Sequence, residues 1–121
     1  MLAAAWRLTK KADFDRVWKQ GQSFFLKELG IKKLANGQAV SRFGFVVSTK
    51  VSKLAVTRNL LKRRLRAMIA ENMELILPGF DIVVFTRPGA SKLTYDELRG
   101  RLEALFIKLN LLTHGRVQNK P

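Results

Sequence analysis

Hydrophobic residues recur at helical spacing in three separate segments of the chain. In the first, from Thr9 to Gly21, the residues that share one helix face are Phe14, Val17 and Trp18. Thr9 belongs to a residue type that caps helix starts, and Gly21 to a type that ends helices. The pattern predicts an amphipathic first helix.

The second helical segment lies within Lys50 to Asn72. A helix that starts near Thr57, at about 100° per residue, places four apolar side chains on one side. They are Leu61, Leu65, Met68 and Ile69. We expect this side of the central helix to face the core.

The third helical segment begins with Thr94-Tyr95-Asp96-Glu97, the Thr-x-x-Glu pattern of a capping box. Its core stripe is predicted to be Leu98, Leu102, Leu105, Phe106 and Leu109. The periodicity stops after Asn110. We therefore expect a single domain over residues 1–121, ordered over about 7–110, with a flexible tail over 111–121.

Three further segments have the composition of strands. Ser23 to Lys33 and Arg42 to Ser48 are rich in Phe, Val and Ile. The loop between them contains Asn36-Gly37, a common hairpin signal, although a longer loop fits the same residues. Phe80 to Thr86 resembles a buried strand, with a Pro-Gly pair on each side.

Composition excludes several classes of protein. The 121 residues include no Cys, which excludes disulfides, Cys-ligated zinc and a thiol nucleophile, and which suits a reducing cytosol. Apolar runs such as Ile82 to Phe85 are far shorter than the roughly 20 residues of a spanning helix. A secretory signal has its basic residues before its apolar segment, whereas here the basic residues follow the apolar start. We expect a cytoplasmic protein with no membrane association.

The positive charge is concentrated in the middle of the chain. The formal net charge is +14, and no acidic residue lies between Glu28 and Glu71. The ten basic residues in that interval are Lys32, Lys33, Arg42, Lys50, Lys53, Arg58, Lys62, Arg63, Arg64 and Arg66. Such a charge opposes compaction, so a polyanionic partner explains it best. Nucleic acid is the first candidate, and an anionic membrane surface is the second.

The central helix is predicted to carry four of these ten cations, together with Asn59, on one broad face. Arg58, Lys62 and Arg66 form an i, i+4, i+8 row, Asn59 and Arg63 form the next row, and Arg64 is predicted to point away from both. A merely solvated face usually mixes charge signs, because like charges at i, i+4 destabilise a helix. The absence of carboxylates favours a face that receives phosphates.

Aromatic residues provide a second feature that is typical of RNA binding. Those on the first helix and the strands are Phe14, Trp18, Phe24, Phe25, Phe43, Phe45, Phe80 and Phe85. Most must fill the core, since a small sheet needs residues to bury. Phe14 and Trp18 are the best candidates for stacking on unpaired bases.

The sequence offers no catalytic constellation. His114 is the only His, and it lies in the predicted tail. The acidic pairs Asp13 with Asp15 and Asp96 with Glu97 suit helix starts, because neighbouring positions do not share a helix face. Phosphodiester cleavage needs clustered carboxylates or a pair of acid and base groups. We therefore predict no catalytic residue and no metal ligand.

Three motifs, in order along the chain, resemble one known family. The segment from Ser48 to Arg63, STKVSKLAVTRNLLKR, resembles the signature of the protein subunit of bacterial ribonuclease P. Arg7 to Gly21 resembles that family's first helix, and Ser91 to Leu98 resembles the start of its last helix. The likeness covers residues 7 to about 109.

The resemblance implies an α+β fold, a two-layer α/β sandwich of order α-β-β-β-α-β-α that is similar to a ribosomal-protein domain. It also implies that the basic central helix makes a left-handed crossover between parallel strands, against the usual rule. In that family an RNA subunit performs the Mg²⁺-dependent removal of the 5′ leader from precursor tRNA. The Mg²⁺ is held mainly by the RNA subunit and the substrate.

Positions carried over from the family predict two sets of site residues. The residues expected to bind the RNA subunit are Lys50, Lys53, Arg58, Asn59, Lys62, Arg63, Arg64 and Arg66. Those expected in the cleft for the single-stranded leader are Phe14, Trp18, Phe45, Arg58 and Asn59. Leu60 stands where the family's Arg-Asn-Arg core has its third residue, a cation. We expect that contact to be weakened, or supplied by Arg63 or Arg64.

The partners implied by the resemblance are the RNA subunit and precursor tRNA, with no stable protein partner. Two other interpretations fit the charge. A small ribosomal protein of related fold would bind ribosomal RNA instead. A membrane-surface protein would need a broad apolar face opposite its cations, whereas the apolar stripe of the central helix is assigned to the core.

Overall fold

The computed structural model describes residues 3–113, and it contains the predicted order of helices and strands. The helices are α1 (Lys11–Gln20), α2 (Ala55–Glu71) and α3 (Tyr95–Lys108). The strands are β1 (Gln22–Phe25), β2 (Leu29–Ala35), β3 (Arg42–Val46) and β4 (Phe80–Thr86). Short 3-10 turns occupy Ala4–Trp6, Met73–Leu75 and Ala90–Lys92. The α+β order α-β-β-β-α-β-α is confirmed.

The four strands form one mixed sheet in the order β1-β2-β4-β3. Antiparallel pairs join β1 to β2 and β2 to β4, and β3 runs parallel to β4. The strand predicted as Ser23 to Lys33 is therefore two strands, which a tight connection joins. In that connection the Leu26 N–H donates to the Leu29 carbonyl at 2.7 Å.

The predicted hairpin between β2 and β3 is wrong, because β4 lies between these two strands. Three consecutive residues of β4, Ile82, Val83 and Val84, are fully buried. A strand that is apolar on both faces gains most from a central position. The turn at Asn36-Gly37 does form, with Gly37 at a φ of 69°, but it begins the longer loop.

Helices lie on both faces of the sheet. Ile82 and Val84 of β4 belong to the large core that α2 and α3 cover, whereas Val83 packs on the opposite face with Val17 of α1 and Leu8. Alternate residues of a strand point to opposite faces, which explains the division. The predicted two-layer sandwich thus describes the sheet with α2 and α3, and α1 adds a partial layer behind it. Helix α2 connects parallel strands, and the handedness of that crossover stays a prediction.

The helix ends agree with the sequence in part. Thr94 and Glu97 form the predicted capping box, with the Glu97 N–H donating to Thr94 Oγ1 at 3.1 Å. Gly21 ends α1 as predicted. Thr9 does not cap α1, because the helix starts one residue later, after Lys10, and no side chain there bonds to its free N–H groups.

The ordered part of the chain continues beyond the predicted limit at residue 110. Asn110, at a φ of 55°, turns the chain after α3, and Leu111 is completely buried. Leu112 pairs with Ile76, so this segment lies against the chain that follows the 3-10 turn after α2. Residues 111–113 therefore do not belong to the predicted tail, because an apolar pair anchors them. The remainder of the tail, with His114, lies outside the described residues.

Candidate nucleic-acid interface

Helix α2 presents the predicted basic face. Its core side is buried as predicted, with Leu61, Leu65, Met68 and Ile69 at most 3% exposed. On the other sides Asn59 and Arg63 are exposed, while Arg58, Leu60, Lys62, Arg64 and Arg66 are half-buried. None of these five cations pairs with a carboxylate within residues 3–113. The acid of this helix, Glu71, instead faces Arg99 of α3 at 3.6 Å.

The loop of residues 47–54 is fixed to the start of α2. Lys50 and Lys53 are exposed on it, as an RNA contact requires. The Ser48 hydroxyl accepts from the Lys50 N–H at 3.3 Å. Arg58 donates from Nη1 to the Ser52 carbonyl at 2.9 Å. Arg58 therefore ties the helix to the loop and also adds charge to the face.

A cleft opens where α1, β3 and α2 meet. The lining residues are Arg7, Leu8, Thr9, Phe14, Phe43, Gly44, Phe45, Lys62 and Arg66. A side chain at Gly44 would overlap the Phe14 ring, so only glycine lets this ring lie against β3. The cleft thus combines three aromatic residues, of which Phe43 is buried and Phe14 and Phe45 are half-buried, with two cations of α2.

Trp18 lies outside this cleft, one helical turn beyond Phe14 on α1. Its ring meets the Phe85 ring edge-on, with centroids 5.2 Å apart, and Lys32 Nζ stands 4.3 Å from its centroid. The Trp18 side chain is 46% exposed. These contacts create a second aromatic and cationic surface, beside β2 and β4.

The predicted leader-binding residues are therefore divided among three places. Phe14 and Phe45 line the cleft, Trp18 lies on the second surface, and Arg58 and Asn59 occupy the first turn of α2 without lining the cleft. The arrangement brings Lys62 and Arg66 to the cleft in their place. These two were predicted only as contacts to the RNA subunit.

Sequence reasoning missed several residues of these surfaces. Gly44 carries no signal by itself, because its role depends on the approach of Phe14. Phe85 could have been found, since alternation along β4 places it on the same face as Val83. Lys32 could not have been found in this way, because its position beside Trp18 depends on how β2 pairs with β4.

A buried charge cluster holds α1 against the sheet. Arg42 grips the fully buried carboxylate of Asp81 with two bonds, of 2.9 and 2.7 Å. Arg16 of α1 reaches the same carboxylate at 3.3 Å and bonds to Asp13 at 3.0 Å. Asn36 Nδ2 donates to the Asp81 carboxylate at 2.9 Å. Because Phe14 follows Asp13 directly, the cluster also fixes one wall of the cleft.

The cluster keeps Asp81 ionised. Burial acts to raise the pKa of Asp81, but the hydrogen bonds from Arg42 and Asn36 and the charges of Arg42 and Arg16 outweigh it. The pKa of Asp81 therefore lies below its ordinary value. The same pairing acts on Arg42 in the opposite direction: its hydrogen bonds to Asp81 raise the pKa of Arg42.

Several carboxylates of residues 3–113 have partners within the fold. No group of three His, Asp or Glu side chains within residues 3–113 is arranged to hold a metal ion. Asp15 pairs with Lys11 at 2.8 Å, and Glu97 completes the capping box. Asp13 and Asp81 are neutralised by arginines. No helix of residues 3–113 has the length and apolar character needed to cross a membrane.

Comparisons with known proteins agree on one family. A family model described as ribonuclease P matches residues 2–110. The ribonuclease P protein component of Synechocystis sp. is 40% identical over 114 residues, covering 93% of this chain and 92% of its own length. The ribonuclease P protein component of Alkaliphilus oremlandii is 37% identical over 106 residues, covering 88% of this chain and 92% of its own length.

Solved structures give the same result. The RNase P protein of Staphylococcus aureus superposes with a TM-score of 0.83 at 29% identity, covering 89% of this chain and 98% of that one. The RNase P protein of Thermotoga maritima superposes with a TM-score of 0.77 at 33% identity, covering 84% of this chain and 96% of that one. The likeness therefore extends over sequence and fold together.

Proposed function

Since the chain belongs to the family of bacterial ribonuclease P protein components, we propose that it binds the RNA subunit through α2 and the 47–54 loop. In the cytoplasm it then assists the removal of the 5′ leader from precursor tRNA. The observation that supports this proposal most is that the five cations of α2, four of them in the rows of its basic face, have no carboxylate partner among the described residues.

Electrostatics supports the RNA contact. Each phosphate that a Lys or Arg neutralises releases condensed counterions, which favours binding. Lys50 and Lys53 extend the same charge into the loop before α2. RNA phosphates would supply the negative charge that the sequence itself omits between Glu28 and Glu71.

The cleft supports a contact with the single-stranded leader. Phe14 and Phe45 offer ring faces and edges to unpaired bases, and Lys62 and Arg66 offer charge to the backbone that joins those bases. Trp18 with Lys32 repeats the combination one turn further along α1. We assign the leader to the cleft and to this second surface.

The carboxylates that residues 3–113 bring together do not fit a resident Mg²⁺ ion. Buried Asp81 and half-buried Asp13 are held by Arg16 and Arg42, which would repel a divalent cation. We therefore assign Mg²⁺ and the hydrolytic step to the RNA subunit and the substrate. The protein's part is to bind, to orient the leader and to lower the repulsion between RNA segments.

Reconstitution tests this proposal. Purified protein, the ribonuclease P RNA and a precursor tRNA are combined at low Mg²⁺, with each component also assayed alone. We expect the mature 5′ end only when protein and RNA are both present, and no cleavage by the protein alone. Leader release by the protein alone, under stringent nuclease controls, would contradict the division of labour. Recovery of ribosomal RNA instead of ribonuclease P RNA after crosslinking would favour a ribosomal role.

A further inference from the structure

Two apolar side chains at the start of α2 are exposed without serving the fold. Val56 is 80% exposed and Leu54 is 67% exposed, the highest values among the large hydrophobic residues described. Single exposed apolar residues are common on protein surfaces. Two such residues, two positions apart in the most basic segment of the chain, are a different case, because they place apolar area where the surrounding sequence is charged.

Neither residue has a structural use that explains it. Leu54 occupies the N-cap position of α2, where its side chain makes no capping hydrogen bond. Ser, Thr, Asp or Asn at this position would stabilise the helix. The core side chains of α2 begin only at Leu61. The sequence therefore keeps a poor cap and an exposed apolar pair at this point.

The backbone nevertheless holds the pair in a fixed place. The Leu54 N–H donates to Ser52 Oγ at 3.1 Å, and the Leu54 carbonyl accepts from the Arg58 N–H at 3.1 Å. The Arg58 guanidinium closes the same loop through the Ser52 carbonyl. A contact made from such a fixed segment loses little conformational entropy on binding.

The surrounding charge identifies the kind of partner. Lys50, Lys53 and Arg58 all lie within four positions of Leu54, and no carboxylate occurs between Glu28 and Glu71. RNA offers phosphates to the cations and, at unpaired nucleotides, base faces and riboses to apolar side chains. A membrane would need the apolar stripe of α2, which is buried against the sheet.

We propose that Leu54 and Val56 pack against unpaired nucleotides of the ribonuclease P RNA, in the same segment that carries Lys50, Lys53 and Arg58. This contact rests on the proposed function and adds to it an apolar, salt-independent part of the affinity. The charged residues set how binding depends on salt, and the apolar pair fixes where the helix start sits on the RNA.

The test uses the double variant Leu54→Ser with Val56→Thr in the full chain. Affinity for the ribonuclease P RNA is measured over a series of salt concentrations. We expect about tenfold weaker binding at every salt concentration, from the loss of buried apolar area. The slope of log K against log salt should not change, because an apolar contact releases no counterions. Thermal unfolding should show unchanged or increased stability, because Ser caps α2 better than Leu.

The matched control is Ile107→Ser, which removes an exposed apolar side chain from α3. It should leave the RNA affinity unchanged. Unchanged affinity in the Leu54→Ser, Val56→Thr variant, or a slope altered by about one unit, would overturn the inference. Loss of binding to anionic phosphatidylglycerol vesicles, with RNA affinity intact, would overturn it in favour of a membrane. Failure of the wild-type chain to bind the RNA would instead defeat the proposed function.

Discussion

Two regions of the molecule use the same kind of cation in opposite ways. In the cluster behind α1, Arg16 and Arg42 meet Asp13 and Asp81 at 2.7 to 3.4 Å. On α2, none of the five cations has a carboxylate partner within the described chain. The difference shows that position relative to carboxylates, and not the number of cations, separates a cation that holds the fold together from one that the fold leaves without a counter-charge.

The two regions also obtain their stability differently. Asp81 is buried, so its charge is tolerated only because Arg42, Arg16 and Asn36 surround it. Helix α2 accepts repulsion between like charges of a few tenths of a kcal/mol per i, i+4 pair. Its opposite side, packed in the core through Leu61 and Leu65, offsets that repulsion.

The largest expected effect comes from breaking the first region. Asp81→Asn should lower the free energy of unfolding by about 3 kcal/mol, because it leaves Arg42 without its buried counter-charge. Urea unfolding measures this change. On α2, Arg63→Ala should alter the same free energy by less than about 0.5 kcal/mol, since Arg63 is exposed. Equal losses in both variants would remove the distinction between the regions.

Features set by local sequence could be predicted, and those set by tertiary pairing could not. The capping box of Thr94, the buried side of α2 and the limits of β4 depend on spacing alone, and each is confirmed. The place of β4 between β2 and β3 depends on competition among strands for the centre of the sheet. The Asp81 cluster joins side chains 39, 45 and 65 positions apart, for which one sequence carries no signal.

The candidate site follows the same division. The cations of α2 were predictable because they lie on one helix, at helical spacing. Phe14 lies in the cleft because its ring packs against Gly44 of β3. Trp18 lies on the second surface because its ring meets Phe85 of β4. Helical periodicity places both rings on one face of α1 but does not show what each ring meets.

A smaller effect is expected from the second region. Arg58→Ala and Lys62→Ala should each weaken binding to the ribonuclease P RNA and reduce its salt slope by about one unit, if each contacts one phosphate. Arg58→Ala should lose more affinity than Lys62→Ala, because it also frees the Ser52 carbonyl and loosens the 47–54 loop. Binding titrations at several salt concentrations measure both quantities.

Lys108→Ala is the matched control for these two variants, since it removes an exposed cation from the end of α3. Its salt slope should equal that of the wild-type protein. If neither Arg58→Ala nor Lys62→Ala alters the slope, the basic face of α2 does not belong to the RNA interface.

The smallest expected effect is a dependence of stability on acid pH that comes from the first region alone. The pKa of Asp81 lies below its ordinary value in the folded state, so its ionisation stabilises the fold above the unfolded pKa of about 3.9. That contribution is lost as the pH falls through the lower, folded pKa.

The gap in unfolding free energy between wild type and Asp81→Asn should therefore be constant from about pH 6 to 8 and shrink below about pH 4. Urea unfolding of both proteins across this range measures it, and a gap that persists unchanged in acid would mean that the Asp81 charge is not what holds α1 to the sheet. Arg63→Ala leaves the Asp81 cluster intact, so it should show no such convergence with the wild-type protein.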